Sequence, residues 1–471
     1  MLSSKYRVLK EATKLDVFNL AYEFSCEALN FLSLEPSSLP RKGVITRLGI
    51  FVWHLVSGIR ELWQRKGPAI PLGSFVFFVR NKNEQDSLMT VFANVPQAFW
   101  VGYNSNAANE LSFFQAHLLS CLYFPLVAYT FLRSKGYKRK SYSYIFDHYC
   151  LIYGLYAVAR MWLRKIKPRA IVLSNNTYTY HRVMAKAAQD EGIVTVYIPH
   201  ASAVQNFPSL DFDYALLEGS AALDVYAGLG SSETKVFLVG IPKHDSHFSH
   251  IRGLKELSAL GVCINGLDPL DRVEELIRNV RQDFPALSMI LRPHNGDRRV
   301  NDWKKIAQKY DMQFSNSRKE LSFDFLARVD AIIAGDSNIL LEAALMNVGP
   351  LYYDFALTHL DCFGFERNGL VQYLSQPPEL SRIIKEVSQS TSVRPRAKYY
   401  CATIGTAHDG RSGAVAAGLM KELTSPNGSG LREWRRIPNV ALEAYELSDG
   451  DAIHNAGKRA TTETPPSIMV K

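Results

Sequence analysis

Apolar and polar residues alternate in two separate series along the chain. The first series of short apolar runs lies at 170–175, 194–199, 213–219 and 235–240. A stretch with helical spacing at 181–192 separates the first two runs, and a second series begins at 261–266, after residues 241–258 break the periodicity. Strands that alternate with short helices predict parallel sheets with right-handed crossovers. We therefore expect an α/β protein with two Rossmann-like domains that face a cleft.

The residues before 170 follow a different pattern, which predicts more helix than strand. Residues 1–70 are expected to be mostly helical, and the spacing of apolar residues from Val44 to Trp63 is amphipathic. Strands are expected at 74–81, 88–95 and 98–104. The aromatic-rich stretch 107–166 predicts a helical insertion, which is unusual inside an α/β domain.

These patterns predict four parts of the chain. The expected parts are an N-terminal Rossmann-like domain at 1–241 with its helical insertion near 107–166, a C-terminal Rossmann-like domain at 259–400, a crossing helix at 401–424, and a flexible tail at 425–471. The tail is expected to be flexible because the chain turns more polar from Pro426 onward.

Composition narrows the class of partner. The 471 residues carry a formal net charge of +9, which favours anionic partners such as nucleotide phosphates or anionic lipid. The basic residues form no nucleic-acid reader motif, so we expect no nucleic acid. Six scattered cysteines without a CxxC pair predict neither a zinc site nor a disulfide framework, and the N-terminus has no apolar signal-peptide region. A cytoplasmic protein fits these features best.

The stretch from Ser112 to Leu132 is apolar and long enough to span a bilayer, which takes roughly 20 residues. A basic run follows it at Arg133, Lys135, Lys138, Arg139 and Lys140. We favour a buried helix over a helix that lies on the membrane surface, and both over a true span. The basic run suits an anionic inner leaflet, so residues 112–169 are a candidate for peripheral membrane contact.

Candidate binding residues follow the strands of the second series, because ligands of doubly wound sheets lie beyond the carboxyl ends of the strands. Arg292 and His294 leave one strand and could donate hydrogen bonds to a phosphate, although a salt-bridged surface turn is the alternative. Asp336, Ser337 and Asn338 leave another strand and open a helix that Ser337 could cap. Glu342 follows and could accept hydrogen bonds from a ribose, although an exposed glutamate on a capped helix is the alternative.

Two residues of the first series are candidates for a general base. His200 lies in the loop after the strand at 194–199, and an imidazole titrates near neutral pH. Glu218 ends the next strand. The alternatives are a histidine bonded within a packed turn and a glutamate in a turn or at a helix N-terminus.

Together these residues resemble a known group of enzymes. Ser337, Glu342-Ala343 and Gly349-Pro350 are similar to the donor-nucleotide signature in the C-terminal domain of GT-B-fold glycosyltransferases. The segment Arg292-Pro293-His294-Asn295, the loop ending at His200 and Asp409-Gly410-Arg411 resemble bacterial CDP-glycerol glycerophosphotransferases, sialyl- and polysialyltransferases and related capsule enzymes. The resemblance covers residues 169–423. It departs at Asn295, Asn347 and Ala201, where proline, glycine and glycine are more usual, and this leaves the donor open.

The resemblance implies a GT-B-like fold and an inverting, metal-independent glycosyltransferase of polysaccharide synthesis. Residues 1–241 would form the acceptor domain and 259–400 the nucleotide-donor domain. His294 and Ser337 would contact the donor phosphates, Glu342 would hold the nucleotide, and His200 would be the base or contact the acceptor. The implied partners are a nucleotide-activated donor of a sugar or polyol phosphate and a polysaccharide or lipid-linked acceptor, with no bound cofactor or metal.

Two other functions remain open. A UDP-sugar 2-epimerase-like enzyme shares the two-domain fold, would need additional carboxylates in the cleft and would act without an acceptor. A membrane-associated assembly or export factor would keep the fold without the chemistry, and the aromatic and basic insertion at 112–169 motivates it.

Overall fold

The computed structural model describes residues 2–25, 44–63, 67–103, 107–251, 253, 257–355, 357, 360–374, 392–425, 433–438 and 441–448. Within these ranges the chain forms two sheets that are parallel throughout, except for one antiparallel pair of strands at the edge of the first sheet. The two parallel sheets confirm the predicted α/β class.

The first sheet has the strand order β14-β15-β7-β6-β5-β4-β1-β2-β3. Its strands are β1 (Phe75–Phe78), β2 (Ala98–Gly102), β3 (Asn109–Glu110), β4 (Ala170–Leu173), β5 (Val194–Tyr197), β6 (Tyr214–Leu217), β7 (Lys235–Leu238), β14 (Trp434–Arg436) and β15 (Ala444–Leu447). Alternate residues of β1 enter opposite layers: Val76 and Phe78 pack with one hydrophobic cluster, and Phe75 and Phe77 with another. This period of two shows that helices cover both faces of the sheet.

Helices of the first domain are concentrated before β4. They are α1 (Leu2–Ala12), α2 (Val17–Leu20), α3 (Val44–Gly58), α4 (Lys82–Ala93), α5 (Phe113–Ser120), α6 (Phe124–Arg133), α7 (Gly136–Ile166), α8 (Thr179–Gln189) and α9 (Ser220–Gly228). The long helix α7 is buried along most of its length and carries α1, α3, α5 and α6 on its outer side. The predicted helical insertion therefore exists, as three helices within 113–166.

The second sheet has the strand order β10-β9-β8-β11-β12-β13. Its strands are β8 (Ala259–Ile264), β9 (Ser288–Pro293), β10 (Gln313–Phe314), β11 (Ala331–Ala334), β12 (Gly349–Tyr353) and β13 (Gln372–Leu374), and its helices are α10 (Leu270–Asp283), α11 (Val300–Lys309), α12 (Ser322–Leu326) and α13 (Ile339–Leu345). Helices α10 and α11 cover one face, and α12 and α13 cover the other.

A short 3₁₀ segment, Pro242–His250, joins the two domains where the sequence predicts the linker. The last described helix, α14 (Ser412–Leu423), returns to the first sheet, where Ala416, Ala417 and Met420 share a cluster with Phe75 and Phe77. Asp245 of the linker accepts the backbone N–H groups of Ser412 and Gly413 and so anchors the start of α14. The carboxylate lies at a helix N-terminus, where partial positive charge stabilises it.

Three sequence expectations need correction. Residues 88–95 do not form a strand, because Asn81 caps helix α4, which runs through this stretch to Ala93. Part of the expected flexible tail is ordered: Ala444–Leu447 adds a parallel strand to β7, and Trp434–Arg436 pairs with it. The stretch 113–133 is not a buried helix. A 3₁₀ turn at Cys121–Tyr123 divides it, and only 28% of its most apolar 18 residues are buried.

Candidate functional site

The candidate site lies where loops of the two domains meet beyond the carboxyl ends of their strands. The first domain contributes the residues after β5 and β6, the linker contributes its first turn, and the second domain contributes α13. These segments line one cavity, formed by Pro199, His200, Glu218, Ile241, Pro242, Lys243, Phe323, Asn338, Leu341, Glu342 and Leu345. Four of the eight residues predicted for a site, His200, Glu218, Asn338 and Glu342, therefore line the same cavity.

The linker supplies a cation that the sequence analysis does not single out. The Nζ of Lys243 lies 2.9 Å from Oε1 of Glu342 on α13. Burial raises the pKa of Glu342, but Lys243, a hydrogen bond with Ser322 and the charge of Arg292 together outweigh it, and the pKa ends below its ordinary value. Burial lowers the pKa of Lys243, but the carboxylates of Glu342, Asp86 and Glu218 together outweigh it, and the pKa ends above its ordinary value. The pair is thus a buried ion pair with both partners charged at neutral pH.

His200 is held in a single orientation by the strand beside it. Its Nδ1 lies 2.7 Å from the carbonyl oxygen of Ser174, which follows β4. Because a carbonyl can only accept, Nδ1 carries the proton and Nε2 keeps a lone pair in the neutral ring. Burial lowers the pKa of His200, and the opposing effects of the Ser174 carbonyl and Glu84 do not cancel it. A neutral imidazole with an unprotonated Nε2 can accept a proton from a hydroxyl.

Glu218 is buried and lines the same cavity as His200. Burial raises the pKa of its carboxyl group to about 7, although Ser202 and Lys243 act in the opposite direction. Ser202 contacts both this residue and the second domain, because its hydroxyl donates to Oδ1 of Asn338 at 2.8 Å. The contact bridges the cleft between the β5 loop and the start of α13.

Arg292 and His294 emerge from β9 but do not line this cavity. The guanidinium of Arg292 is buried, donating to Ser315 at 2.6 Å and to the carbonyl of Glu320 at 2.9 Å. His294 is exposed, and its Nδ1 accepts the N–H of Gly296 at 3.2 Å. Nε2 of His294 therefore carries the proton and can donate it outward. Although the side chain reaches the surface, the protein around it partly desolvates the ring, and this together with the charge of Arg292 lowers the pKa of His294 despite the nearby Asp297.

Asp336 and Ser337 leave β11 at the same edge of the sheet. Since β9, β8 and β11 are neighbouring parallel strands, the strands from which the turn of His294 and the loop of Ser337 leave are about 10 Å apart, or two strand spacings. Asp336 accepts the N–H of Cys362 at 2.9 Å. The expected cap at Ser337 is not present: Asn338 is the N-cap residue, and no side chain caps α13. Oδ1 of Asn338 instead accepts the hydroxyl of Ser202.

A second group of polar residues fills the space between these two loops. Asp268 is buried, its Oδ2 accepts the N–H of Asn265 at 2.7 Å, and burial raises the pKa of its carboxyl group to about 7. A Cβ added at Gly335 would lie 3.0 Å from Oδ1 of Asp268, so a larger residue there would have to displace the Asp268 carboxylate by a few tenths of an ångström. Arg299 donates to the carbonyls of Asp268 and Asn265 and fixes the turn.

Sequence reasoning misses Lys243 and Asp268 for different reasons. Lys243 lies in a segment without periodicity, so nothing local indicates that it faces Glu342. Asp268 follows β8 in the segment Asn265-Gly266-Leu267-Asp268, and the rule that ligands lie beyond strand ends could have found it. Within the described residues, no group of three or more His, Cys, Asp or Glu side chains is arranged to hold a metal ion.

No protein-family model and no curated protein matches the chain. A Listeria monocytogenes protein provisionally assigned as a UDP-N-acetylglucosamine 2-epimerase aligns with a TM-score of 0.52 at 9% identity, over 76% of this chain and 98% of that one. The Neisseria meningitidis UDP-GlcNAc 2-epimerase bound to UDP-GlcNAc aligns with a TM-score of 0.49 at 10% identity, over 74% of this chain and 100% of that one. The wall teichoic acid polymerase TagF aligns with a TM-score of 0.46 at 10% identity, over 81% of this chain and 98% of that one.

At this level of identity the comparisons establish the fold alone. Together with the two parallel sheets, the alignment with the Listeria protein shows two Rossmann-like domains in the GT-B arrangement, as the sequence predicts. A fold does not determine an activity, so any functional proposal has to come from the residues of the cleft.

Proposed function

We propose that the protein is a glycosyltransferase-like enzyme that transfers a sugar or a polyol phosphate from a nucleotide-activated donor to a polysaccharide or lipid-linked acceptor. The observation that carries this proposal is the meeting of His200 and Glu218 with Asn338 and Glu342 in one cavity between the domains. A transferase of this fold needs a proton acceptor on one side of the cleft and a donor site on the other.

The first-domain wall offers two groups that can activate an acceptor hydroxyl. His200 presents a lone pair on Nε2 because the Ser174 carbonyl holds the proton on Nδ1. Glu218, with a pKa of about 7, exchanges its proton near the pH of the cytoplasm. A general base works best when its pKa lies near the working pH, so either group can take the proton as the acceptor oxygen attacks.

The second-domain edge is proposed to hold the donor. His294 directs an N–H outward at the end of β9, and the loop Asp336–Asn338 lies about two strand spacings away. A nucleotide phosphate between them would receive the His294 hydrogen bond and the backbone N–H groups near Ser337. Arg292 would act by its charge, since its own hydrogen bonds are already made within the protein. These groups would stabilise negative charge on the leaving phosphate.

Glu342 is proposed to hold the nucleotide, with Lys243 as the residue that keeps its carboxylate charged. The displacement is direct and inverting, and it proceeds without a metal or bound cofactor. The enzyme would act in the cytoplasm, on the inner face of the membrane, with peripheral contact through residues 112–169. Capsule or lipopolysaccharide synthesis is the expected setting, because the acceptors of such enzymes are surface polysaccharides or their lipid-linked precursors.

A nucleotide panel tests the donor site. The melting temperature is measured with CMP, CDP, UDP and GDP for wild type, for His294→Ala, and for His250→Ala as a matched exposed histidine outside the site. We expect one nucleotide to stabilise wild type and His250→Ala but not His294→Ala, because bound ligand stabilises the folded state. Equal stabilisation of wild type and His294→Ala would remove His294 from the site. Stabilisation by none would favour the non-catalytic assembly or export role.

A UDP-sugar 2-epimerase-like activity is the second candidate. It requires carboxylates in the cleft, and both Glu218 and Glu342 line the cavity. Such an enzyme would convert UDP-N-acetylglucosamine without an acceptor. Turnover of this substrate alone, lost in Glu218→Gln, would replace the transferase proposal.

A further inference from the structure

Helix α3, Val44–Gly58, directs its apolar side chains away from the protein. The outward residues recur with helical spacing and are Ile45, Leu48, Val52, Trp53 and Val56. Ile45 is 87% exposed and Trp53 is 68% exposed. Surface helices of globular proteins normally place such a stripe against the core and their polar residues in water. On α3 this arrangement is reversed.

The inner face of α3 shows what fixes this orientation. Arg47 points inward and pairs with Asp147 of α7 at 3.2 Å. Phe51 is buried between the rings of His117 and Phe124, with centroid distances of 5.1 and 5.2 Å. Rotating the helix to bury its apolar stripe would break this ion pair and expose Phe51. The outward stripe is therefore a property of the folded protein.

A second apolar stripe lies on the neighbouring helices α5 and α6. Its exposed residues are Leu118, Leu122, Tyr129 and Leu132. The opposite side is buried and includes His117, Tyr123 and Val127. This stretch has the length and composition of a membrane span. However, a 3₁₀ turn interrupts the stretch and its buried side packs on α7, so it lies along the protein surface and does not cross a bilayer.

A basic cluster borders the second stripe. Arg133, Lys135, Lys138 and Arg139 are exposed and follow directly after Leu132. No acidic residue occurs between Gln115 and Lys140. An apolar stripe next to lysine and arginine residues is the combination by which peripheral proteins bind an anionic bilayer, since the stripe enters the headgroup region and the cations remain with the lipid phosphates.

We propose that α3 together with α5 and α6 forms a membrane-binding face that seats the protein on an anionic bilayer without spanning it. Trp53 would lie at headgroup depth, where the amphipathic indole is favoured. A second copy of the chain is a poorer occupant. A two-fold interface through these helices would bring the two basic clusters towards each other, and like charges repel.

The proposed function already includes peripheral membrane contact through residues 112–169; this inference adds α3 to the contact and does not depend on transferase activity. It assigns membrane binding chiefly to α3, which lies outside residues 169–423, where the sequence resembles known enzymes. The cleft residues belong to other loops, so loss of membrane binding and loss of nucleotide binding are separate outcomes.

Sedimentation with vesicles tests the proposal on the full chain. Vesicles of phosphatidylcholine alone are compared with vesicles that also contain phosphatidylglycerol. We expect wild type to sediment with the anionic vesicles, and Trp53→Glu with Val56→Glu to bind at least about tenfold more weakly because two apolar side chains no longer enter the lipid. Leu267→Glu, at an exposed leucine of the second domain, is the matched control and should bind as wild type does.

The charge requirement has its own variant. Lys135→Glu with Lys138→Glu should remove the preference for anionic vesicles while the far-ultraviolet circular dichroism stays unchanged. Nucleotide-induced stabilisation should be the same in every membrane-face variant, which separates this proposal from the transferase function.

Three results would overturn the proposal. The first is equal sedimentation of wild type and Trp53→Glu/Val56→Glu. The second is a lipid-free dimer in sedimentation velocity that these substitutions dissociate, which would make the face an interface between copies. The third is retention in the membrane after alkaline carbonate extraction, which would indicate a spanning segment.

Discussion

The two walls of the cleft each bury a glutamate, and the two carboxyl groups differ in charge. Glu218 in the first-domain wall is 7% exposed and Glu342 in the second-domain wall is 9% exposed. Burial nevertheless raises the pKa of Glu218 to about 7, whereas the pKa of Glu342 falls below its ordinary value. The difference lies in the partners: Glu342 is bonded to Lys243 and Ser322 and also feels the charge of Arg292, whereas Glu218 is bonded to Ser202 and feels Lys243 through its charge alone. The two carboxyl groups are buried to a similar degree, so the difference between their pKa values comes from their partners.

This difference means that Glu342 stays charged at neutral pH, whereas Glu218 gains and loses a proton near neutral pH. The Lys243–Glu342 pair keeps a fixed charge in the second-domain wall over the physiological range. Glu218 changes its charge near neutral pH. It lines the same cavity as His200, whose imidazole can accept a proton at Nε2. We infer that proton transfer takes place at the first-domain wall and that the second-domain wall serves binding.

Removal of the cation should have the largest effect. Lys243→Met removes the bonded cation from the buried carboxylate of Glu342, which keeps only its hydrogen bond with Ser322 and the charge of Arg292. We expect a loss of about 3 kcal/mol in the free energy of unfolding, measured by urea denaturation. The control is Lys82→Met, which removes an exposed ion pair with Asp86 and should cost less than about 1 kcal/mol. Adding Glu342→Gln to Lys243→Met should restore part of the loss. Similar losses for Lys243→Met and Lys82→Met would show that the two pairs do not differ.

Glu218 and Glu342 should change the free energy of unfolding in opposite directions as the pH rises. Because the folded pKa of Glu218 is raised, its contribution is fully present below the unfolded pKa near 4.5 and is lost as pH rises to about 7. The loss is about 3 kcal/mol, so Glu218→Gln should decline less than wild type between pH 5 and pH 8 in urea unfolding. Glu342 has a lowered folded pKa, so its contribution is present at neutral pH and is lost on acidification. Parallel curves for wild type and Glu218→Gln would contradict the raised pKa.

The contact that joins the walls should have the smallest effect. Ser202→Ala removes the hydrogen bond to Asn338, and we expect a loss of about 1 kcal/mol in the free energy of unfolding. The same change should raise the pKa of Glu218 further, because Ser202 acts to lower it. The midpoint of the Glu218-dependent decline would then move to higher pH. Ser143→Ala removes a hydroxyl bonded only to the carbonyl of Lys140 within one helix and should leave that midpoint unchanged.

Local periodicity accounts for the parts of the fold that the sequence predicts correctly. The runs at 170–175 and 194–199 contain β4 and β5, because a buried parallel strand is continuously apolar. The same reasoning fails at 88–95, where the apolar residues of α4 have a short spacing that fits both a strand and a helix. The ordered strand Ala444–Leu447 is also missed, since its stability comes from pairing with β7 and not from its own composition.

The sequence by itself determined the two alternating series and the linker between them, and it proposed eight site residues, of which four line the cavity between the domains. Those inferences depend on neighbours along the chain, where spacing and strand ends carry the information. Only the tertiary structure decided which residue faces which: Lys243 meets Glu342 across 99 positions, and Ser202 meets Asn338 across 136. It also decided that the apolar side of α3 faces outward, because periodicity shows that a helix has two faces but not which one the rest of the protein covers.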